Sequence, residues 1–173
     1  MAITRLGGAT AITGTIPQGN IANASLGAVT ALPGAIATGK VLQVVTGTTS
    51  SSTASSAGSF VATSLTANIT PSSSSNKVIV LVNGGEGDTG AAGRGMQPSI
   101  FRGSTNIGNG TAGMTTIYSA GSRIQGNMSC GILDSPSSTS QVTYTLYFKS
   151  AVGAVTFNAN SCLTTMILME VAG

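Results

Sequence analysis

From residue 40 onward the chain alternates between apolar and polar positions with a period of two. Over residues 64–70, Leu65, Ala67 and Ile69 fall on one side of an extended backbone and Thr66, Asn68 and Thr70 on the other, the pattern of a half-buried strand. Residues 141–150 repeat it more strongly, with Val142, Tyr144, Leu146 and Phe148 on one face. Two further stretches, KVIVLV (77–82) and TMILMEV (165–171), are apolar on both faces. A sandwich strand needs only one apolar face for its own core. The second face is therefore expected to be covered by another copy of the chain, most simply in a ring of cyclic symmetry. Val78, Val80, Ile167 and Met169 are the candidate interface residues.

Turn chemistry separates these runs. TGTTSSSTASSAGS (46–59), PSSSSN (71–76) and DSPSSTS (134–140) are Ser, Thr, Gly and Pro clusters that break the pattern. Further strand-like pieces lie in KVLQVV, PSIFRGSTNIG, TTIYSAGSR, IQGNMSCGIL, AVTFNANS and CLTTMILMEV. No segment sustains a helical period. Short strands at regular spacing predict an all-β, jelly-roll-like antiparallel β-sandwich over residues 40–173. Residues 1–39 differ in texture. They hold no sustained period and repeat Pro within a Gly/Ala/Thr/Ile background. Such a segment buries too little of its own surface to offset its ordering entropy. It is expected to be an extended, irregular arm that docks on something else, with Ile12, Ile16, Pro17, Ile21, Leu32 and Pro33 as its anchoring residues.

Composition sharpens the expectation of assembly. Charged residues are 6% of the 173, where about 25% is usual, and the mean hydropathy is +0.34. The seven basic and four acidic residues give a net charge of +3 and form no Lys/Arg cluster, which argues against a nucleic-acid interface. The apolar runs are far shorter than the roughly 20 residues of a membrane-crossing helix, so no membrane insertion is expected. The first residues lack the apolar stretch of a secretory signal, which points to synthesis in a cytoplasm. Cys130 and Cys162 are then expected to be reduced, buried thiols.

The chemistry of catalysis is sparse. Histidine is absent, which removes Ser-His-Asp and Cys-His arrangements and most metal sites. No cofactor motif is present. Glu86 and Asp88 lie in GGEGDTGAAGRG (84–95), where glycine falls at every third position from Gly84 to Gly93. Collagen has that period but needs many triplets. This run has four, contains no proline, and interrupts a β-domain. It reads instead as a mobile hairpin loop whose only charges, Glu86, Asp88 and Arg94, make it a candidate surface-binding loop. Residues 48–59 and 134–140 are the other candidate loops. Glu170, set in an apolar strand, needs a partner if buried, and Arg102 and Arg123 are the expected ones. Tyr118, Tyr144 and Tyr147 are the candidate exposed aromatics, with sheet packing as their more ordinary role.

Taken in order, GKVLQVV, TANITPSSSSNKVIVLV, FRGSTNIG, VTYTLYFKSAVGAVTFNANS and LMEV resemble the C-terminal modules of bacteriophage tail-fibre-like proteins of the marine and cyanophage type. ITGTIPQGNIANASLG is similar to the low-complexity segments that precede such modules. The resemblance implies a homotrimeric, non-enzymatic virion protein with no cofactor. Its arm would hold it to other phage proteins of tail or capsid, and its β-head would meet a host cell-surface glycan or protein. The family has no fixed catalytic motif, so no site residue carries over. A capsid decoration protein that stabilises the phage head is the alternative expectation.

Overall fold

The computed structural model describes residues 41–173, which form thirteen strands and no helix. The arm, with Ile12, Ile16, Pro17, Ile21, Leu32 and Pro33, lies outside the described residues. The first sheet contains β1 (Val41–Thr49), β4 (Lys77–Gly84), β10 (Cys130–Asp134) and β13 (Thr164–Val171), in the order β1-β13-β4-β10. The second contains β3 (Val61–Ile69), β6 (Arg94–Arg102), β7 (Thr105–Asn106) and β11 (Val142–Val152), in the order β3-β11-β6-β7, with β8 (Ile117–Ser119) also pairing β6. Four short strands, β2 (Thr53–Ser55), β5 (Glu86–Asp88), β9 (Gln125–Asn127) and β12 (Val155–Phe157), form a third sheet in the order β2-β12-β5-β9. Every pairing is antiparallel.

The pairing is that of a long hairpin rolled over on itself. β1 pairs β13, β3 pairs β11, β4 pairs β10, and β6 pairs β8. First thus meets last, and each inner pair nests within the one outside it. This nesting, split over two sheets, is the jelly roll, and the fold class expected from the alternation holds.

The core lies between the two larger sheets. Leu65, Ala67 and Ile69 of β3 and Val142, Tyr144, Leu146 and Phe148 of β11 point inward from one side. Val78, Val80 and Val82 of β4 and Met166 and Leu168 of β13 meet them from the other. The period of two therefore places side chains as the sequence implied.

At Gly84 and Gly85 the chain passes from the first sheet to the third. Both residues have φ near +75° (75° and 74°), a left-handed conformation that residues with a Cβ rarely adopt. A Cβ on Gly85 would also stand 2.3 Å from Thr164 Oγ1. The glycine run is thus a sharp pivot, a short strand and a turn over residues 89–93, rather than one long hairpin loop.

Candidate functional site

The described residues carry no cluster of three or more His, Cys, Asp or Glu side chains able to hold a metal ion. No helix among them is long and apolar enough to cross a membrane. The informative features are where the acids sit and what the two large sheets present on their outer faces.

All four carboxylates of the chain are at least nine-tenths buried: Glu86, Asp88, Asp134 and Glu170. Burial of a charge is tolerated only with compensating donors, and each acid solves this differently. Asp88 takes a bidentate pair from Arg123, Nε to Oδ1 at 2.9 Å and Nη2 to Oδ2 at 2.5 Å, and a backbone N–H from Gly90. The Arg123 hydrogen bonds hold its carboxyl below the ordinary range. Asp134 accepts two bonds from Arg102 Nη1, both 2.9 Å, and one from the Tyr144 hydroxyl at 2.7 Å. Burial, and then the bond to Asp134, push the Tyr144 phenol upward. Tyr144 is therefore a core residue rather than an exposed aromatic.

Glu170 corrects the expectation of an arginine partner. Arg102 and Arg123 are engaged by the two aspartates, and Glu170 is held by neutral groups. Oε1 accepts from Ser72 N (2.7 Å), Ser72 Oγ (2.8 Å) and Asn76 Nδ2 (2.6 Å), and Oε2 accepts from Gln43 Nε2 (2.5 Å). Burial pushes this carboxyl up, but the four hydrogen bonds outweigh it and bring it down to about 2. The PSSSSN segment, legible only as a turn, is the cradle of a buried anion.

Glu86 is the least satisfied of the four. Its Oε2 accepts from the Cys162 thiol at 3.7 Å, while Oε1 has no partner. Neighbouring Asn158 accepts the Glu86 backbone N–H through Oδ1 at 3.0 Å and leaves Nδ2 without a partner. Glu86 and Asp88 are thus interior residues of β5, and the surface-binding role expected of them is overturned. Arg94, half-buried at the start of β6, donates to Ala154 O at 2.9 Å. Both cysteines are free; Cys130 is half-buried, and burial raises its thiol to about 11. Cys162 is exposed, contrary to expectation.

The outer face of the first sheet is aliphatic over its central rows, with Thr46, Thr48, Thr165 and Asn83 as polar positions toward one end. Register places Val44, Met169, Ile79 and Leu133 in one row across β1, β13, β4 and β10. Ile167 and Leu81 sit side by side in the next. Val44 is 57% exposed and Leu133 53%. Lys77 is the single charged residue of these four strands on that side. Val78 and Val80 point the other way and are fully buried in the chain's own core, so they cannot meet another subunit. Their outward neighbours Ile79 and Leu81 stand beside Met169 and Ile167. Within the apolar residues 78–82 the alternation is silent about phase, which the exposed Lys77 and Asn83 on either side share with Ile79 and Leu81.

The outer face of the second sheet is different. β3 contributes Ser64, Thr66 and Asn68, and β11 contributes Thr143 and Thr145. Thr66 and Thr145 hydroxyls meet at 3.2 Å, and Thr143 Oγ1 donates to Asn68 Oδ1 at 2.7 Å. Among these hydroxyls stand three half-buried rings, Phe60, Phe101 and Tyr147.

No protein-family model matches the chain, and no curated protein matches it. Among solved structures it is similar to a mutant VP2 protein of infectious bursal disease virus in derived T=1 particles, at 14% identity and a TM-score of 0.36. It is likewise similar to a chain of the T13 particle of that virus, at 15% identity and a TM-score of 0.37. Each match covers 75% of this chain and 36% of the other, so the chain spans about a third of the length of those it matches. At such scores the likeness adds nothing to the fold that strand pairing already establishes: an all-β jelly roll with buried acids and two unlike outer faces.

Proposed function

We propose that this chain is a non-enzymatic structural protein of a bacteriophage virion: a short, trimeric, fibre-like appendage. The arm of residues 1–39 fastens it to other virion proteins, and the jelly roll projects as a head for attachment to the host surface. The observation that carries the reading is the aliphatic outer face of the first sheet. Contiguous apolar surface of this kind marks an interface rather than a solvated surface, and Ile79, Leu81, Ile167 and Met169 lie at its centre. The low charge of the whole chain supports the same conclusion, since few residues remain to keep a monomer dispersed.

Light scattering on the purified full chain tests this directly. A mass of three chains, falling to one when Met169→Lys and Ile79→Glu are combined, is the expected result. A monomer at every concentration overturns it. A second reading rests on the same face: a decoration protein would lay the aliphatic sheet against the capsid and stabilise the head. Immunogold labelling of intact particles separates the two, with gold at the tail for the appendage and regular occupancy of the shell for decoration.

A further inference from the structure

Seven aromatic side chains occur in the chain, and three of them converge on the outer face of the second sheet. Phe101 on β6 and Tyr147 on β11 are diagonal neighbours, since Tyr147 faces Ser99 and Phe101 faces Thr145. Their centroids are 3.9 Å apart with planes at 22°. Phe60, just before β3, meets Phe101 edge-on at 5.5 Å and 61°. Lys149 Nζ stands 5.1 Å from the Phe60 centroid and donates to Thr111 O. Gln97 faces Lys149 across the ladder.

Cross-strand packing accounts for the contacts of these rings with one another. It does not account for their position on the hydroxyl-rich outer side, where each ring stays partly exposed. A ring face beside hydroxyl and amide groups matches a pyranose, which has apolar C–H faces and a polar rim. Charge narrows the choice. Every Asp and Glu side chain is internal, so an anionic ligand meets no acidic side chain on this face, and Lys149 supplies a cation beside the rings.

We propose that this face binds an acidic saccharide. The sugar stacks on Tyr147 and Phe101, exchanges hydrogen bonds with Thr145 and Gln97, and sets its carboxylate or sulfate beside Lys149. The inference rests on the attachment role proposed above and names the partner class and the surface. It moves recognition from the residue 84–95 segment to a sheet face. One such site is weak, with a dissociation constant on the order of millimolar. A trimer gains from presenting three.

The full chain is titrated with oligogalacturonate, heparin oligosaccharide, neutral dextran oligomers and oligodeoxythymidine. Binding of at least one acidic saccharide in preference to dextran and oligodeoxythymidine is expected. Tyr147→Ala and Phe101→Ala each weaken it roughly tenfold. Gln97→Glu touches no core contact and places a negative charge opposite Lys149. It weakens acidic binding about threefold with an unchanged melting curve. The proposal is overturned if no acidic saccharide binds, if dextran or oligodeoxythymidine binds as well, or if Gln97→Glu and Tyr147→Ala both keep wild-type affinity. Light scattering on the same sample keeps the readings apart. A trimer that ignores acidic saccharides sinks this inference alone, and a monomer that binds them sinks only the assembly.

Discussion

The two large sheets share one core and turn opposite characters outward. On the first, Val44, Ile79, Leu81, Leu133, Ile167 and Met169 make a nearly charge-free aliphatic surface. On the second, Thr66, Asn68, Thr143 and Thr145 surround a small group of rings. The inner faces cannot differ in this way, because both must fill the same space with apolar side chains at close-packed density. The outer faces are free of that constraint. What they carry therefore reports on what each meets, and the contrast separates residues that make the fold from residues that make its contacts.

The widest expected gap is between neighbours of opposite phase on one strand. Phe148→Ala empties a fully buried site and should cost about 4 kcal/mol in denaturant unfolding. Tyr147→Ala, one residue earlier, should cost no more than about 1.5 kcal/mol. Equal costs would break the distinction between inner and outer faces.

Glu170 comes next. Glu170→Gln turns an amide N–H₂ toward donors that need an acceptor, and a loss of about 3 kcal/mol is expected. Its pH dependence has a definite sign. The folded value, about 2, lies below the ordinary 4.5, so the stabilisation is complete above about pH 4.5 and drains away as pH falls toward about 2. Chemical denaturation at several pH values should show that slope, and Glu170→Gln should flatten it.

Breaking the Arg102–Asp134 pair by Asp134→Asn removes a charge-assisted bidentate contact and weakens the Tyr144 bond. A loss of about 2 kcal/mol is expected by the same measurement. Smallest is Leu81→Thr on the aliphatic outer face, which should leave monomer stability within about 1 kcal/mol while raising the concentration at which light scattering detects trimers. A large drop in monomer stability would place Leu81 in the core and undo the contrast.

Much of the fold was legible because β3 and β11 obey a strict alternation that only one arrangement satisfies. That β4 and β13 carry apolar side chains on both faces was legible too, from their apolar runs. What escaped did so for specific reasons. The outward reading of Val78 and Val80 fails because the five apolar residues between Lys77 and Asn83 carry no phase of their own, and it is these two flanking polar residues, in phase with Ile79 and Leu81, that mark the outer side. β5 was hidden because Gly-Glu-Gly-Asp has the composition of a loop. Its strand character comes from β9 and β12, and the burial of its acids depends on Arg123, Asn158 and Cys162. The Glu170 cradle was invisible because Gln43, Ser72 and Asn76 are common surface residues that acquire a role only when brought together. The aromatic group failed to show for the same reason: Phe60, Phe101 and Tyr147 are scattered along the sequence.

The position of β13 has a kinetic consequence. It follows every other described strand in the chain, yet it sits between β1 and β4 in the middle of its sheet, and it delivers Glu170 to partners up to 127 residues earlier. During synthesis β1 has no neighbour in that sheet until residue 171 has left the ribosome. Until then the aliphatic rows of β1 and β4 stand apart with open edges, a state prone to the wrong partner. Contacts this distant in sequence also close slowly. Folding of this head is therefore expected to be late and abrupt, with the arrival of one strand completing the sheet, the anion cradle and the outer aliphatic rows together.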